Sequence, residues 1–245
     1  MKRNYQNPTA ERWFREMTED LSKFPFSFVY DGIHYDGFGK EDFHLISSTE
    51  EKTEKDETKE FCFGLQEELQ VTLKFTYYPA YGVSEWTVWF ENTGTQDSNI
   101  LEDVRSTLTF TGETPVLKGI LGDHENQYKM YATDLTKEEV HFLSDSGRAT
   151  HVNFPYFNLE YGNGGAILVI GWAGTWMADF CAEDEVTTYT ARSVYNLKTF
   201  LKPGEKIRTA LFVYAPYTKR DEAYAANFWR SWFVDCNLPA EDPFS

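Results

Sequence analysis

The chain has 245 residues, a formal net charge of −16 and an aromatic content of 17%. A chain of this length can bury a substantial core, as one large domain or two small ones. The negative charge argues against nucleic acid and anionic membranes as partners, because their phosphates would be repelled, whereas neutral sugars fit. The aromatic content favours β-structure over a helical bundle.

Targeting and metal-binding signals do not stand out in the sequence. The N-terminal segment MKRNYQNPTAERWF has basic residues but no apolar core, so it does not resemble a signal peptide. No apolar run approaches the ~20 residues of a membrane span. The cysteines Cys62, Cys181 and Cys236 are odd in number and form no CxxC pair, which argues against disulfides and a zinc knuckle. We expect a cytoplasmic protein without metal or cofactor.

The first 60 residues predict a helix followed by strands. Residues 7–21 predict a short helix capped by Asn7, with an apolar stripe of Ala10, Trp13, Phe14, Met17 and Leu21. After Pro25 the period changes to two, and FSFVYDGIHYDGF predicts two strands joined by an Asp31-Gly32 turn. Residues 47–60 contain no apolar side chain and predict a solvated loop or hairpin tip.

The middle of the chain predicts antiparallel strands. LQVTLKFTYY alternates apolar and polar residues, as a half-buried strand does, and EWTVWFENTG and VRSTLTFTG predict two more. Residues 114–150 are less regular and predict long loops, where binding groups often lie. FNLEYGNGGAILVIGW predicts a hairpin with a central second strand, and KTFLKPGEKIRTALFVYA a hairpin around Pro203-Gly204. The predicted fold is all-β, a large antiparallel β-sandwich with short terminal helices.

The C-terminal segment predicts a strongly amphipathic helix. Thr218 would cap it, with Asp221 in capping-box spacing, and Asn237 and Pro239 would end it. Its apolar stripe consists of Ala225, Phe228, Trp229, Trp232, Phe233 and Cys236. This stripe packs on the domain's own sheet, docks a following domain, or does both.

Short motifs give no catalytic or metal site. Gly162, Gly164 and Gly165 precede a strand rather than a helix, which indicates turn glycines and not a phosphate loop. The triplet Asp123-His124-Glu125 would point to alternate faces of a strand, a poor arrangement for chelating one ion. No HExxH or GxSxG pattern is present. We therefore assign no catalytic residue and no metal ligand.

Tryptophans offer the remaining lead to a ligand. Trp86, Trp89, Trp172 and Trp176 lie on or beside predicted strands. Sugars stack their C–H faces on aromatic rings, although core packing is the commoner fate of a tryptophan. Trp176 follows Gly174-Thr175 in what the pattern indicates is a loop, so an exposed ring is expected there. Trp172 and Trp176 are the predicted substrate-binding residues.

Three segments resemble the N-terminal β-sandwich of family 36 α-galactosidase-type glycoside hydrolases. SDSGRATHVNFPYFNLEYGNGGAILVIGWAGTW is similar to that family's Pro-aromatic stretch, Gly turn and strand. LKPGEKIRTALFVYA resembles its Leu-x-Pro-Gly-Glu hairpin, and NFWRSWFVDCNLP its helix leading to the catalytic barrel. The resemblance spans about Ser146 to Pro239. Residues 173–175 are Ala-Gly-Thr where relatives often carry a Ser-Gly-Asn type loop, so the sugar is not fixed.

The resemblance implies a galactose-mutarotase-like supersandwich and an accessory role. The family's nucleophile and acid/base aspartates lie on a downstream (β/α)₈ barrel, so no activity is expected from this chain alone. The implied division is a helix at 1–22, a sandwich at 23–217, and a helix and linker toward a missing barrel at 218–245. The implied partners are that barrel, an α-galactoside and further copies of the chain. Two alternatives remain: an autonomous carbohydrate-binding or mutarotase-like domain, and a purely structural oligomerisation domain.

Overall fold

Two antiparallel β-sheets pack against each other and enclose one aromatic-rich core, which confirms the predicted all-β sandwich. The computed structural model describes residues 5–194 and 196–238. None of the helices in this described part is long and apolar enough to span a membrane. The C-terminal part of the predicted linker, residues 239–245, lies outside the described residues.

Within the described residues, seventeen strands build the sandwich and two α-helices flank it. The strands are β1 (Phe26–Tyr30), β2 (Ile33–Asp36), β3 (Phe43–Lys52), β4 (Glu57–Leu65), β5 (Leu69–Tyr78), β6 (Val83–Asn92), β7 (Leu101–Thr111), β8 (Val116–Leu121), β9 (Met130–Asp134), β10 (Val140–Ser144), β11 (Asn153–Tyr161), β12 (Gly164–Gly171), β13 (Trp176–Glu183), β14 (Val186–Arg192), β15 (Lys198–Thr199), β16 (Lys206–Arg208) and β17 (Leu211–Tyr217). The helices are α1 (Pro8–Glu19) and α2 (Glu222–Trp232). A 3₁₀ turn (Leu21–Lys23) follows α1 and a π-helical turn (Phe233–Asn237) follows α2.

The strands divide into a smaller and a larger sheet. The smaller sheet has the order β10-β13-β14-β7-β1-β2, with β15 also pairing with β7. The larger sheet has the order β3-β4-β5-β6-β17-β12-β11-β8-β9, with β16 also pairing with β6. As predicted, β12 is central, since it lies between β11 and β17. The chain crosses between the sheets after β12. Trp172 lies in this crossing segment, and Trp176 begins β13 at its end.

Helix α1 packs against the core as its sequence predicts. The Asn7 side chain accepts hydrogen bonds from the backbone amides of Thr9 and Ala10, so Asn7 is the cap. Phe14 is buried and packs on Phe75 and Tyr77 of β5, with ring centroids 4.7 and 4.9 Å away. The apolar face of α1 therefore belongs to the main core.

Helix α2 covers the outer face of the larger sheet and forms a second apolar cluster there. Ala225, Phe228 and Trp232 are buried against Tyr78, Val213 and other residues of that face. Asp221, rather than Thr218, caps the helix, because its carboxylate accepts the amide of Tyr224. Of the predicted stripe, Phe233 alone turns away from the sheet, whereas Cys236 packs partly buried against the same cluster. The winding becomes π-helical from Phe233, so a 3.6-residue period no longer points this residue at the sheet, and Phe233 is 43% exposed.

Residues 114–150 differ from the prediction of long loops. They contain the three short strands β8, β9 and β10. These strands have only five or six residues, too few to give a clear alternation. Backbone pairing defines them, β8 with β11, β9 with β8 and β10 with β13, and the periodicity of the sequence does not predict such pairing.

The predicted hairpin around Pro203-Gly204 is also wrong. Strand β15 pairs with β7 in the smaller sheet, whereas β16 and β17 both pair with β6 in the larger one. The turn itself is present, with Gly204 at a φ of 75°. The segment therefore bridges the two sheets at one end of the sandwich instead of folding back on itself.

Residues 47–60 form most of the β3–β4 hairpin, in agreement with the predicted hairpin alternative. Its outer strand β3 is one edge strand of the larger sheet and is exposed along nearly its whole length. Leu45 and Ile46 are 58% and 53% exposed. A long edge with exposed apolar side chains is a typical site for pairing with another strand.

Candidate functional site

A cleft of about 330 Å³ opens between the two sheets at the end where the chain crosses from β12 to β13. The larger sheet contributes Phe90, Ile207, Arg208 and the adjoining Thr209. The smaller sheet and its loops contribute Val104, Ser193, Val194 and Leu197. Trp172 joins the two sides, since it lies in the crossing segment. The split of residues 198–217 between the sheets thus creates this cleft.

Trp172 and Arg208 form a cation–π pair at the cleft. The Arg208 guanidinium carbon lies 5.2 Å from the centroid of the Trp172 ring. Arg208 Nη1 also donates a 3.1 Å hydrogen bond to the carbonyl of Thr209. The indole is half-buried, and a β-carbon added to Gly174 would lie 3.0 Å from its Nε1. The loop backbone and Arg208 therefore hold the ring in place and cover part of its surface.

The inner walls of the cleft are apolar. Phe90 and Val104 are buried, and Leu197 and Ile207 pack partly buried against the main core. Polar groups come from Ser193, Thr209 and Arg208. The Thr209 hydroxyl accepts the amide of Val88 and donates to the carbonyl of Ala210, so it is committed to holding β6 against β16. Arg208 is therefore the charged group that the cleft offers to a ligand.

The structure separates the two predicted site residues. Trp172 lines the cleft, but Trp176 is the first residue of β13 and is fully buried. Its Nε1 donates a 2.7 Å hydrogen bond to the carbonyl of Ala149, and its ring packs on Phe157. The expected exposure of Trp176 is wrong, because the strand begins directly after Gly174-Thr175 and turns the ring into the core. A ring without exposed surface cannot contact a ligand in this conformation.

The triplet Asp123-His124-Glu125 lies in the irregular connection between β8 and β9. Asp123 Oδ2 is 3.4 Å from Nη1 of Arg148, and the ring of His124 stacks on His151 with centroids 4.3 Å apart. Glu125 adopts a φ of 62°. Across residues 5–194 and 196–238, no three His, Cys, Asp or Glu side chains are grouped so that they could hold a metal ion.

An apolar surface lies at the C-terminal end of α2, and we call Phe233, Val234 and Leu238 the α2-end surface. These side chains are 43%, 51% and 47% exposed. Trp229 links this surface to the sheet, with its ring 5.3 Å from Tyr156 and 6.2 Å from Phe233. Phe233 of the predicted stripe therefore faces outward together with Val234 and Leu238, which the stripe did not include, while the other stripe residues pack on the sheet.

Arg208 was missed in the sequence because nothing local distinguishes it from its neighbours Lys202 and Lys206. Its position over Trp172 depends on β16 joining β6 while the segment after β12 crosses to the other sheet. A pairing of residues more than 30 positions apart leaves no periodic signal. Trp172 itself could be found, because aromatic residues are natural candidates for ligand contact.

Neither protein-family models nor curated proteins match this chain. Solved structures do. The GH36 α-galactosidase AgaA from Geobacillus stearothermophilus matches with a TM-score of 0.58 and 16% identity over 80% of this chain and 30% of that chain. An α-galactosidase from Lactobacillus brevis matches with a TM-score of 0.62 and 12% identity over 85% and 31%.

A third match is the galactosidase domain of the α-galactosidase–sucrose kinase AgaSK, with a TM-score of 0.59 and 15% identity over 89% of this chain and 35% of that chain. At these identities the likeness shows a shared fold. The chain spans about a third of the length of the enzymes that it matches.

Proposed function

We propose that this chain is a non-catalytic β-sandwich module of an α-galactosidase-like glycoside hydrolase, which supports a separate catalytic barrel. One observation carries the proposal: three α-galactosidase structures share the fold over 80–89% of this chain, yet the shared part is only 30–35% of each of those chains. A module of this size leaves the chemistry to the rest of such an enzyme. The proposed division is 1–22, 23–217 and 218–245, in a cytoplasmic protein.

The α2-end surface supports a barrel as the docking partner. Phe233, Val234 and Leu238 expose apolar side chains at the end of a helix whose opposite face is fixed on the sheet. Exposed apolar patches on soluble proteins mark interaction sites. A neighbouring domain that covers this patch would gain roughly 25 cal/mol for each Å² of apolar surface removed from water.

The test of this proposal is an assay of the purified chain with 4-nitrophenyl α-D-galactopyranoside. We expect no turnover above background, since the catalytic carboxylates would belong to the barrel. Turnover that disappears when an Asp or Glu of this chain is replaced would overturn the proposal. A complementary test is the reading frame that surrounds residues 1–245: a (β/α)₈ barrel encoded with the module would support the proposal.

An α-galactoside is the proposed carbohydrate ligand and Trp172 its proposed contact. Two of the structures with this fold are AgaA variants in complex with stachyose and raffinose. In the module joined to its barrel, Trp172→Ala should lower kcat/KM without unfolding the protein. The isolated chain should bind galactose no better than millimolar, at about −4 kcal/mol. An unchanged kcat/KM would remove Trp172 from the sugar site.

Trp172 also favours the second candidate function, an autonomous carbohydrate-binding domain. Such a domain would instead bind sugar tightly without a barrel.

Self-association through β3 is the proposed route to a homo-oligomer. This strand is a ten-residue edge with exposed Leu45 and Ile46. A second copy could pair antiparallel with it and cover both side chains. Light scattering should show an oligomer for the native chain and a monomer for Leu45→Lys. Val186→Lys, which replaces another exposed apolar residue on β14 of the smaller sheet, is the control. A monomeric native chain would contradict this assembly.

A further inference from the structure

Arg208 presents an unneutralised positive charge at the cleft. Its contacts are the Trp172 ring and the Thr209 carbonyl. Within the described part of the chain it forms no ion pair, although the sequence has 39 acidic and only 23 basic residues. By contrast, Lys206, two positions earlier on β16, pairs with Glu91 at 2.9 Å. The remaining guanidinium N–H groups of Arg208 are available to an acceptor from outside the chain.

The space beside this charge suits an apolar group. The walls of the cleft are the apolar side chains of Phe90, Val104, Leu197 and Ile207, and its volume is about 330 Å³. That volume lies at the lower end of the range of small-molecule pockets, roughly 300–1,000 Å³. Sugar hydroxyls placed against these walls would lose hydrogen bonds to water without replacement. A phenyl ring or a short branched alkyl group would lose none.

We propose that this cleft binds a small amphipathic carboxylate, with its apolar part between the sheets and its carboxylate on Arg208. The charge complements the ligand, and the guanidinium geometry allows two parallel hydrogen bonds to one carboxylate. Trp172 holds the guanidinium over its ring, so less side-chain freedom is lost when the ligand binds. This site goes beyond the proposed support of a barrel and does not depend on it.

The experiment compares matched probes by isothermal titration calorimetry on the full chain at pH 7. The probes are 3-phenylpropionate, its neutral amide 3-phenylpropanamide, and propionate, which lacks the ring. We expect 3-phenylpropionate to bind at least about tenfold more tightly than either of the others. The amide loses the charge-assisted hydrogen bonds, and propionate loses the burial of the ring.

Two substitutions at the same strand separate a specific contact from general charge. Arg208→Gln should weaken the binding of 3-phenylpropionate about tenfold and leave that of the amide unchanged. Lys206→Gln removes the same charge from the same strand, but from a residue already paired with Glu91. It should change the affinity by no more than about twofold, because a charge that does not touch the ligand is screened by salt.

A cavity-filling substitution tests where the ring lies. Val104→Phe places extra carbon in the cleft and should abolish binding of acid and amide alike, with folding checked by circular dichroism. The surface variant Arg208→Gln keeps the test decisive if Val104→Phe does not fold.

Three results would overturn the proposal. The first is no saturable binding of 3-phenylpropionate up to about 10 mM, a concentration that would nearly saturate a site with a Kd of about 1 mM. The second is equal affinities for acid and amide. The third is an Arg208→Gln affinity equal to the native one. Methyl α-D-galactopyranoside is titrated in parallel. Binding of this sugar without binding of the carboxylate overturns the carboxylate site and leaves the proposed sugar contact standing. Binding of the carboxylate without binding of this sugar supports the carboxylate site; the sugar contact of Trp172 is decided by kcat/KM in the module joined to its barrel.

Discussion

Arg15 of α1 and Glu57 of β4 form a bidentate ion pair that ties the N-terminal helix to the sandwich. Arg15 Nη2 lies 2.9 Å from Oε2 of Glu57, and Nη1 bonds the other carboxylate oxygen. The Glu57 side chain is only 5% exposed, and Lys52 approaches Oε2 at 3.5 Å. Burial by itself raises the pKa of Glu57, but the hydrogen bond and charge of Arg15 outweigh burial and hold this pKa below its ordinary value.

Arg15→Met should destabilise the fold because it leaves Glu57 buried without its main partner. Breaking a fully buried pair costs about 3–5 kcal/mol; we expect about 2–3 kcal/mol, because Lys52 remains and Arg15 is partly exposed. Urea unfolding measures this free energy. Arg12→Met, on the exposed side of the same helix, is the control and should change stability by less than about 0.5 kcal/mol.

The Arg15–Glu57 pair also predicts a pH dependence with a definite sign. Since the folded-state pKa of Glu57 lies below its ordinary value of 4.5, the stabilisation is present above that value. It is lost as the pH falls through the folded-state pKa. The difference in unfolding free energy between the native chain and Arg15→Met should therefore shrink below about pH 4.5. A difference that stays constant down to pH 3 would contradict the assigned role of Glu57.

Trp232→Ala should lower the thermal midpoint sharply. Trp232 is buried under α2 and packs edge-on against Tyr78, with ring centroids 5.4 Å apart. Truncation of a buried large aromatic side chain typically costs about 3–5 kcal/mol. Arg230→Ala and Phe233→Ala should have small effects, because both side chains are exposed. Equally small effects from all three would show that α2 is not docked on the sheet.

Trp176→Ala should lower the stability of the fold much more than Trp172→Ala does. Trp176 loses a buried ring and a hydrogen bond to Ala149, so we expect about 3–5 kcal/mol of destabilisation. Trp172 is half-buried at the edge of the cleft, and its removal should cost less than about 2 kcal/mol. Denaturant unfolding of both variants checks this order. A stable Trp176→Ala protein would be inconsistent with the buried position of the ring.

His141 should titrate above its ordinary pKa. Its Nδ1 lies 2.8 Å from Asp179 on β13, and this hydrogen bond raises the pKa of His141. The negative charge of Glu139 raises this pKa further. The stabilisation from this contact is present below about pH 6.5 and is lost as the pH rises through the folded-state pKa. An NMR titration measures this pKa directly. Asp179→Asn should bring it back toward 6.5, whereas an equal pKa in both proteins would rule out the contact.

Several local elements and the fold class were predictable from the sequence. Alternation in Leu69–Tyr78 and the Asp31-Gly32 turn correctly predict β5 and the β1–β2 hairpin. Asn7 correctly predicts the start of α1. These features are read over a few neighbouring residues, and backbone geometry links such residues directly to their conformation.

Pairing between distant segments was decided by the tertiary structure. The sequence from Lys198 to Tyr217 predicts one hairpin. In the structure β15 pairs with β7, whereas β16 and β17 pair with β6. Glu57 lies in a segment that looks fully solvated, yet Arg15, 42 residues away, holds it buried. The periodicity of a local segment does not predict contacts with residues far away in the sequence.

The candidate site shows the same division. The sequence by itself determined a sandwich with an aromatic residue at the end of a central strand. The tertiary structure decided that Trp176 enters the core, that Trp172 remains at a cleft, and that Arg208 lies over the Trp172 ring. The physical reason is that exposure and charge pairing depend on which strands become neighbours, and this depends on the packing of both sheets around one core.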